Sequence, residues 1–161
     1  MREISLNSQF VVYSPDELTD FDSLLVSKAR EATETSYSPY SQFQVGAAVM
    51  LRSGGIVTGS NQENAAYGIC QCAERNALFS AACHFPDDAP VAIAIAAQTG
   101  GSFLSNPIPP GGACRQAMQE VENRYGTPLH IILYGTESVW VCEGIKHLLP
   151  LSFVADTMNN Q

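Results

Sequence analysis

The stretch Val91-Ala92-Ile93-Ala94-Ile95-Ala96-Ala97 is apolar at every position. A strand with one face in water alternates apolar and polar residues, so an unbroken apolar run predicts a strand that is buried on both faces. A second run, Leu129 to Leu133, is apolar except at His130. Strands of this kind are typical of a sheet that helices cover on both sides.

Three more strands are predicted around these two runs. Val45 to Leu51 and Ile56 to Thr58 flank Arg52-Ser53-Gly54-Gly55, and these turn residues indicate a hairpin. A weaker strand is predicted near Ser138 to Val141. The pattern therefore predicts a sheet of five strands.

Helices are predicted between and before the strands. The first begins near Asp16, whose side chain suits a helix cap, and continues to about Thr35. The alternation of helices and strands predicts an α/β fold of the three-layer α/β/α sandwich type. The other predicted helices extend from Cys72 to about Cys83, from Gly112 to about Tyr125, and near Glu143 to Leu148.

Composition limits the classes of partner. The chain has 161 residues, 45% of them hydrophobic, so we expect one domain over residues 1–161. Eight Lys plus Arg against sixteen Asp plus Glu give a net charge of -8, whereas nucleic-acid binding needs a basic face. No apolar run approaches the ~20 residues of a membrane span, and Met1 to Tyr13 lacks the pattern of a secretory signal. A cytosolic protein with a small, uncharged ligand is expected.

Two of the five cysteines stand at predicted helix starts. Cys72 opens the second helix, two residues before Glu74, and Cys114 falls in the first turn of the third. The positive end of a helix dipole favours the thiolate, the form that binds zinc. Thiolates beside a carboxylate indicate metal-assisted hydrolysis, in which the ion activates a water and the carboxylate moves protons. The histidines show no ligand spacing and are expected to be structural: His84, His130 and His147.

Five blocks of sequence, taken together and in order, carry a resemblance to a known family. They are Ser38-Pro39-Tyr40-Ser41-Gln42-Phe43-Gln44-Val45-Gly46-Ala47-Ala48, Asn61-Gln62-Glu63-Asn64-Ala65-Ala66-Tyr67, Cys72-Ala73-Glu74-Arg75, Gly112-Ala113-Cys114-Arg115-Gln116 and Leu148-Leu149-Pro150-Leu151-Ser152-Phe153. These blocks resemble the small homotetrameric cytidine deaminases, which are zinc enzymes acting on cytidine and deoxycytidine. Zinc deaminases pair a ligand-x-Glu tripeptide with a later Pro-Cys-x-x-Cys. The resemblance implies an α/β/α sandwich with a central mixed five-stranded sheet, a Zn²⁺ cofactor, a pyrimidine nucleoside as substrate, and active sites shared across a homotetramer.

The resemblance also implies roles for single residues. Cys72 and Cys114 match zinc ligands, and Glu74 matches the catalytic group that carries protons. The residues implied to bind the nucleoside are Phe43 against the pyrimidine, Asn61 and Glu63 at the ribose hydroxyls, Ala73, and Phe153, which would reach the site of a neighbouring subunit.

The chain departs from this family at one position. Where the family has Pro-Cys-Gly-Ala-Cys, the chain has Pro110-Gly111-Gly112-Ala113-Cys114, so Gly111 stands in place of one thiolate. Cys83 lies eleven residues after Cys72, or ~16 Å along a helix, too far to bind the same ion. Cys70 is the candidate third ligand, and a water molecule or an altered loop is the alternative.

Three hypotheses on function follow. The first is hydrolytic deamination of cytidine and deoxycytidine by a zinc-activated water. The second is a relative that binds nucleosides without turnover because Gly111 leaves the zinc site incomplete. The third is a deaminase that accepts pyrimidines with a larger group on the exocyclic nitrogen, since glycine removes bulk beside the metal.

Overall fold

The computed structural model describes residues 1–155 of the chain. In chain order its strands and α-helices are β1 (Val11–Tyr13), α1 (Asp20–Ala32), β2 (Phe43–Leu51), β3 (Ile56–Ser60), α2 (Ala73–His84), β4 (Pro90–Thr99), β5 (Ser102–Phe103), α3 (Gly112–Tyr125), β6 (His130–Tyr134) and β7 (Val139–Glu143).

The strands form a single mixed sheet in the order β1-β7-β6-β4-β2-β3, and β5 pairs with one end of β4. Strands β4 and β6 are parallel, and α3 connects them, while the other pairs are antiparallel. The five predicted strands are all present. Their number was wrong, because β1 and β5 extend the sheet to seven strands. These two contain three and two residues, too few to show a period of apolar residues.

The three-layer arrangement is confirmed. Helix α1 covers one face of the sheet, and α2 and α3 cover the other. On β4, Ile93 and Ile95 face the core under α2 and α3, whereas Ala92, Ala94 and Ala96 face the core under α1. Both faces of β4 are thus buried over most of its length, which explains why every position from Val91 to Ala97 is apolar.

Helix α1 begins later than predicted. Asp16 lies in a separate 3-10 turn, Pro15–Glu17, in which the backbone N–H of Ser14 donates to the Glu17 carboxylate (2.8 Å). The cap of α1 is Thr19, whose hydroxyl oxygen accepts a hydrogen bond from the Asp22 N–H (3.1 Å). Asp16 was therefore the wrong cap. The short helix predicted near Glu143 is a 3-10 turn, Ile145–His147.

Close packing fixes the start of α2 against the sheet. A Cβ atom at Gly59 of β3 would lie 2.5 Å from the backbone nitrogen of Ala77 and 2.7 Å from the carbonyl oxygen of Ala73. Only glycine permits this approach. The side-chain amide of Asn76 also donates to the carbonyl of Ser60 at 2.8 Å. The first turn of α2 is thus held at the end of β3.

Within residues 1–155, the helices are all too short or too polar to cross a membrane.

Candidate active site

Two helix starts converge on one point. Cys72 is the N-cap of α2, Glu74 lies in its first turn, and Cys114 lies in the first turn of α3. The two sulfur atoms and a carboxylate oxygen of Glu74 all lie within 4.8 Å of one another. Glu74 and Cys114 are buried, and Cys72 is half-buried. The structure therefore brings together the three residues that the sequence singled out for metal chemistry.

The two thiols titrate as a pair. A hydrogen bond from Cys114 lowers the pKa of Cys72 to about 5, and the nearby guanidinium of Arg75 acts in the same direction. The same hydrogen bond, together with burial, raises the pKa of Cys114 well above its usual range. The two sulfur atoms therefore share one proton, which favours one thiolate in the pair, and a bound cation would displace that proton.

The carboxyl group of Glu74 is buried. Burial raises the pKa of Glu74 above its ordinary value, and the negative charge of Cys72 raises it further. A carboxyl group with a raised pKa takes up a proton more readily than an ordinary one, which suits a group that both accepts and donates protons.

Arg75 is a site residue to which the sequence analysis gave no role. Its Nη2 atom lies 3.6 Å from the sulfur of Cys72 and 3.4 Å from the carbonyl oxygen of Cys70. Its Nε atom is buried without a hydrogen-bond partner among residues 1–155. The spacing of three residues from Cys72 could have indicated this contact, because residues i and i+3 share one helix face.

The donor atoms fit a zinc ion. Zinc prefers thiolate, imidazole and carboxylate ligands, and a catalytic site combines protein ligands with a position for water. Cys72 and Cys114 would supply two thiolates at the starts of α2 and α3, where the positive end of a helix dipole favours the charged form of a thiol. The residues that would hold the ion are therefore Cys72 and Cys114, with the carboxylate of Glu74 beside it.

The residue that could complete this site and the residue that could weaken it, Cys70 and Gly111, both line the cavity beside the cluster. Gly111 is the N-cap of α3 and lines the same cavity as Cys72. The sulfur of Cys70 instead accepts a hydrogen bond from the backbone N–H of Asn64 (3.2 Å). Cys70 also lines the cavity but does not belong to the group of mutually close ligand atoms in residues 1–155.

A cavity of about 460 Å³ opens beside the cluster, and Phe43, Asn61 and Glu63 line it. The Asn61 carbonyl accepts from Ser36 (2.5 Å) and from the Val45 N–H (2.8 Å), and its amide donates to the Phe43 carbonyl (2.9 Å). One amide N–H of Asn61 remains for a ligand. The amide thus holds the start of β2, and with it Phe43, at the cavity wall.

Glu63 organises the loop before β2. Its carboxylate accepts hydrogen bonds from the N–H groups of Tyr40 (2.9 Å) and Ser41 (3.2 Å) and from the Ser41 hydroxyl. The hydroxyl of Ser41 and the two N–H groups lower the pKa of Glu63. An ionised carboxylate with further lone pairs therefore faces the cavity.

Ala73 and Phe153 differ in position. Ala73 is fully buried and lines the cavity at the first turn of α2. Phe153 has 60% of its surface exposed, and its backbone carbonyl accepts from the side-chain amide of Gln116 (2.7 Å). Phe153 does not line the cavity, so its implied contact with a neighbouring subunit stays a prediction.

The remaining cysteines lie apart from the cluster. Cys83 is exposed near the far end of α2. Cys142 is buried on β7, where burial raises the pKa of its thiol to about 12.

Comparison with protein families matches residues 19–125 to the cytidine and deoxycytidylate deaminase zinc-binding region. Among individual proteins, a cytidine deaminase of Halalkalibacterium halodurans is 42% identical over 139 residues, which cover 85% of this chain and 97% of that protein.

Solved structures give the same relationship. The crystal structure of a cytidine deaminase from Burkholderia pseudomallei superposes with a TM-score of 0.67 at 42% identity, and the match covers 84% of this chain and all of that one (100%). The cytidine deaminase of Mycobacterium tuberculosis superposes with a TM-score of 0.65 at 30% identity, covering 84% of this chain and 98% of that one. The fold, the matched zinc-binding region and these relatives together place the chain in the cytidine and deoxycytidylate deaminase family.

Proposed function

We propose that this chain catalyses the hydrolytic deamination of cytidine and deoxycytidine to uridine and deoxyuridine, with release of ammonia. The observation that carries the proposal is the cluster of Cys72, Glu74 and Cys114 beside a cavity of about 460 Å³ in a chain of this family. An uncharged nucleoside suits a protein of net charge -8, which would repel a polyanion.

The chemistry needs a nucleophile and a proton carrier. Zinc held by Cys72 and Cys114 would supply a water whose pKa is lowered toward neutrality. Glu74 would take one proton from the water and give it to the ring nitrogen, while the oxygen bonds to the carbon that carries the amine. Glu74 then moves the proton of the new hydroxyl to the amine, the C–N bond breaks, and ammonia leaves.

The nucleoside lies in the cavity with its base toward the cluster. Phe43 packs against the pyrimidine, and the backbone N–H of Ala73, at the open start of α2, is available to the polar edge of the base. Asn61 has a free amide N–H, and Glu63 has free lone pairs, so both suit the ribose hydroxyls.

The assembly is part of the proposal. We infer a homotetramer whose sites are shared, with Phe153 of each subunit reaching a neighbouring site. The exposed side chain of Phe153, whose backbone carbonyl accepts from Gln116 near the start of α3, supports this inference. A cytosolic location is supported by five cysteines that form no disulfide in residues 1–155.

The test is turnover by the zinc-loaded protein. We expect release of uridine and ammonia from cytidine, and Glu74→Gln should lower kcat on the order of 10³-fold with zinc content retained, because glutamine keeps the shape but cannot carry a proton. Zinc-loaded wild type that releases no ammonia from either nucleoside would refute the proposal, and nucleoside binding without turnover would identify a non-catalytic relative.

A further inference from the structure

We propose that the zinc of this chain has only two protein ligands, the thiolates of Cys72 and Cys114, and that neutral solvent molecules beside Gly111 complete its coordination. The inference depends on the proposed function for the presence of zinc at this site. It departs from the three protein ligands usual for catalytic zinc.

Gly111 occupies a position that could have carried a ligand. It lies three residues before Cys114, the spacing at which zinc deaminases place a second cysteine, and it lines the cavity beside Cys72. Its backbone angles, φ -64° and ψ 163°, suit any amino acid. Apart from Gly111 itself and its two chain neighbours, no heavy atom of residues 1–155 lies within 4 Å of a Cβ built at Gly111. Neither strain nor packing therefore explains the glycine, which leaves space open to the cavity.

Cys70 does not replace the absent side chain. Its sulfur accepts from the N–H of Asn64 (3.2 Å) and lies 3.6 Å from the carbonyl oxygen of the same residue, to which the thiol donates. These two contacts direct the thiol to the backbone of a loop. The sulfur would have to leave both contacts to join Cys72 and Cys114.

Glu74 is the other candidate, since its carboxylate lies within 4.8 Å of both sulfurs. It is the acid/base group of the cluster, however, and a carboxylate bound to the metal would leave the proposed reaction without a proton carrier. We therefore assign Glu74 a position beside the ion and not on it.

The charges favour a neutral third ligand. The thiolates of Cys72 and Cys114 and the carboxylate of Glu74 carry three negative charges, and Arg75 carries one positive charge. A zinc ion with charge +2 makes this group neutral, whereas a third anionic ligand would leave one negative charge in excess. An uncompensated charge is costly at a buried site. A neutral solvent ligand leaves the net charge of the zinc ion and these four side chains at zero.

The test counts thiolates and measures metal affinity without substrate. The metal-free protein is titrated with zinc against a chelator and with Co²⁺, whose thiolate charge-transfer absorption grows with the number of bound thiolates. We expect Gly111→Cys to raise the absorption by roughly half, as two thiolates become three, and to raise zinc affinity on the order of 100-fold. Gly111→Ala is the matched control and should change neither quantity, because a methyl group fills space without a donor atom.

Two further variants distinguish the rival ligands even if Gly111→Cys fails to fold. Cys70→Ser should leave the absorption and the affinity unchanged, and Glu74→Gln should lower zinc affinity far less than Cys72→Ser does. Loss of thiolate absorption in Cys70→Ser, or a loss of affinity in Glu74→Gln equal to that in Cys72→Ser, would overturn the inference.

The outcomes separate this inference from the proposed function. Zinc bound by two thiolates in a protein that releases no ammonia from cytidine would refute the proposed function alone. Turnover of cytidine by a protein in which Cys70 proves to be a ligand would refute this inference alone.

Discussion

A methyl group added at Gly59 should displace active-site residues without touching them, because β3 packs against the start of α2, which carries Cys72 and Glu74. The Cβ of alanine at this position would meet the backbone nitrogen of Ala77 at 2.5 Å, whereas ordinary contacts begin at 3.4 Å. The obstructing atoms are backbone and cannot rotate away. Helix α2 must therefore move outward by about 0.9 Å, or β3 must bend by a similar amount.

The size of the effect follows from that displacement. Overpacking of a filled core costs about 1–3 kcal/mol of folding free energy. A catalytic group displaced by about 1 Å costs on the order of 100-fold in rate, and Cys72 and Glu74 would move while Cys114 stays on α3. Gly59→Ala should thus lower the unfolding free energy in urea, weaken zinc binding and reduce kcat/KM for cytidine together.

Gly55→Ala is the matched control for this prediction. The added Cβ would lie 3.5 Å from the Ser53 hydroxyl and 3.6 Å from a Leu51 methyl group, both ordinary contacts. We expect this variant to retain stability, zinc affinity and kcat/KM. If Gly59→Ala behaved like Gly55→Ala in all three measurements, close packing of α2 on β3 would not be what positions the site.

Three other predictions concern separate parts of the molecule. Burial alone lowers the pKa of His130, but hydrogen bonds to Glu143 and Asp22 (2.9 Å) outweigh it and hold the pKa above its ordinary value. The protonated ring should stabilise the fold fully below the ordinary histidine pKa of about 6.5, and this stabilisation should be lost as pH rises through the raised pKa of the folded protein. His130→Gln should therefore lower the free energy of unfolding in urea more at pH 6 than at pH 9, by about 1–3 kcal/mol. An equal loss at both pH values would contradict this prediction. Asn61→Ala removes the three hydrogen bonds of the Asn61 side chain, two of which hold the start of β2, and should raise KM for cytidine because Phe43 loses its support. An unchanged KM would argue against a role of Asn61 in positioning Phe43. Because Gly111 adds open space to the cavity, the wild type should hydrolyse N4-methylcytidine to uridine and methylamine, and Gly111→Leu should do so more slowly. If neither protein released methylamine, the wider substrate range would be excluded.

The fold could be predicted largely from apolar patterning. The run from Val91 to Ala97 indicated a strand buried on both faces, and β4 is such a strand. Its two isoleucines lie under α2 and α3, whereas Ala92, Ala94 and Ala96 lie under α1, so the alternation of large and small residues reflects the difference between the two layers. Strands β1 and β5 were missed because pairing with β7 and β4, and not their own composition, defines them.

The site could be predicted only in part. Cys72, Glu74 and Cys114 were indicated by their places at helix starts, a local property that spacing along the chain reveals. The direction of the Cys70 thiol was not, because it depends on the fold of the loop at Asn64. Arg75 was missed for a different reason, because a charged residue on a first turn is by default solvated, although its spacing of three residues from Cys72 could have indicated the contact.

The cluster is assembled by the fold and not by the metal. Cys72 is placed by the packing of α2 on β3 at Gly59, and Cys114 by α3, whose Arg115 donates to the carbonyl of Leu148 (2.7 Å). Neither of these two contacts joins one proposed zinc ligand to the other. The absence of a ligand at Gly111 therefore weakens zinc binding without separating Cys72 from Cys114. For that reason a site with two thiolates is compatible with this fold. A site that only the metal held together would not survive the same loss.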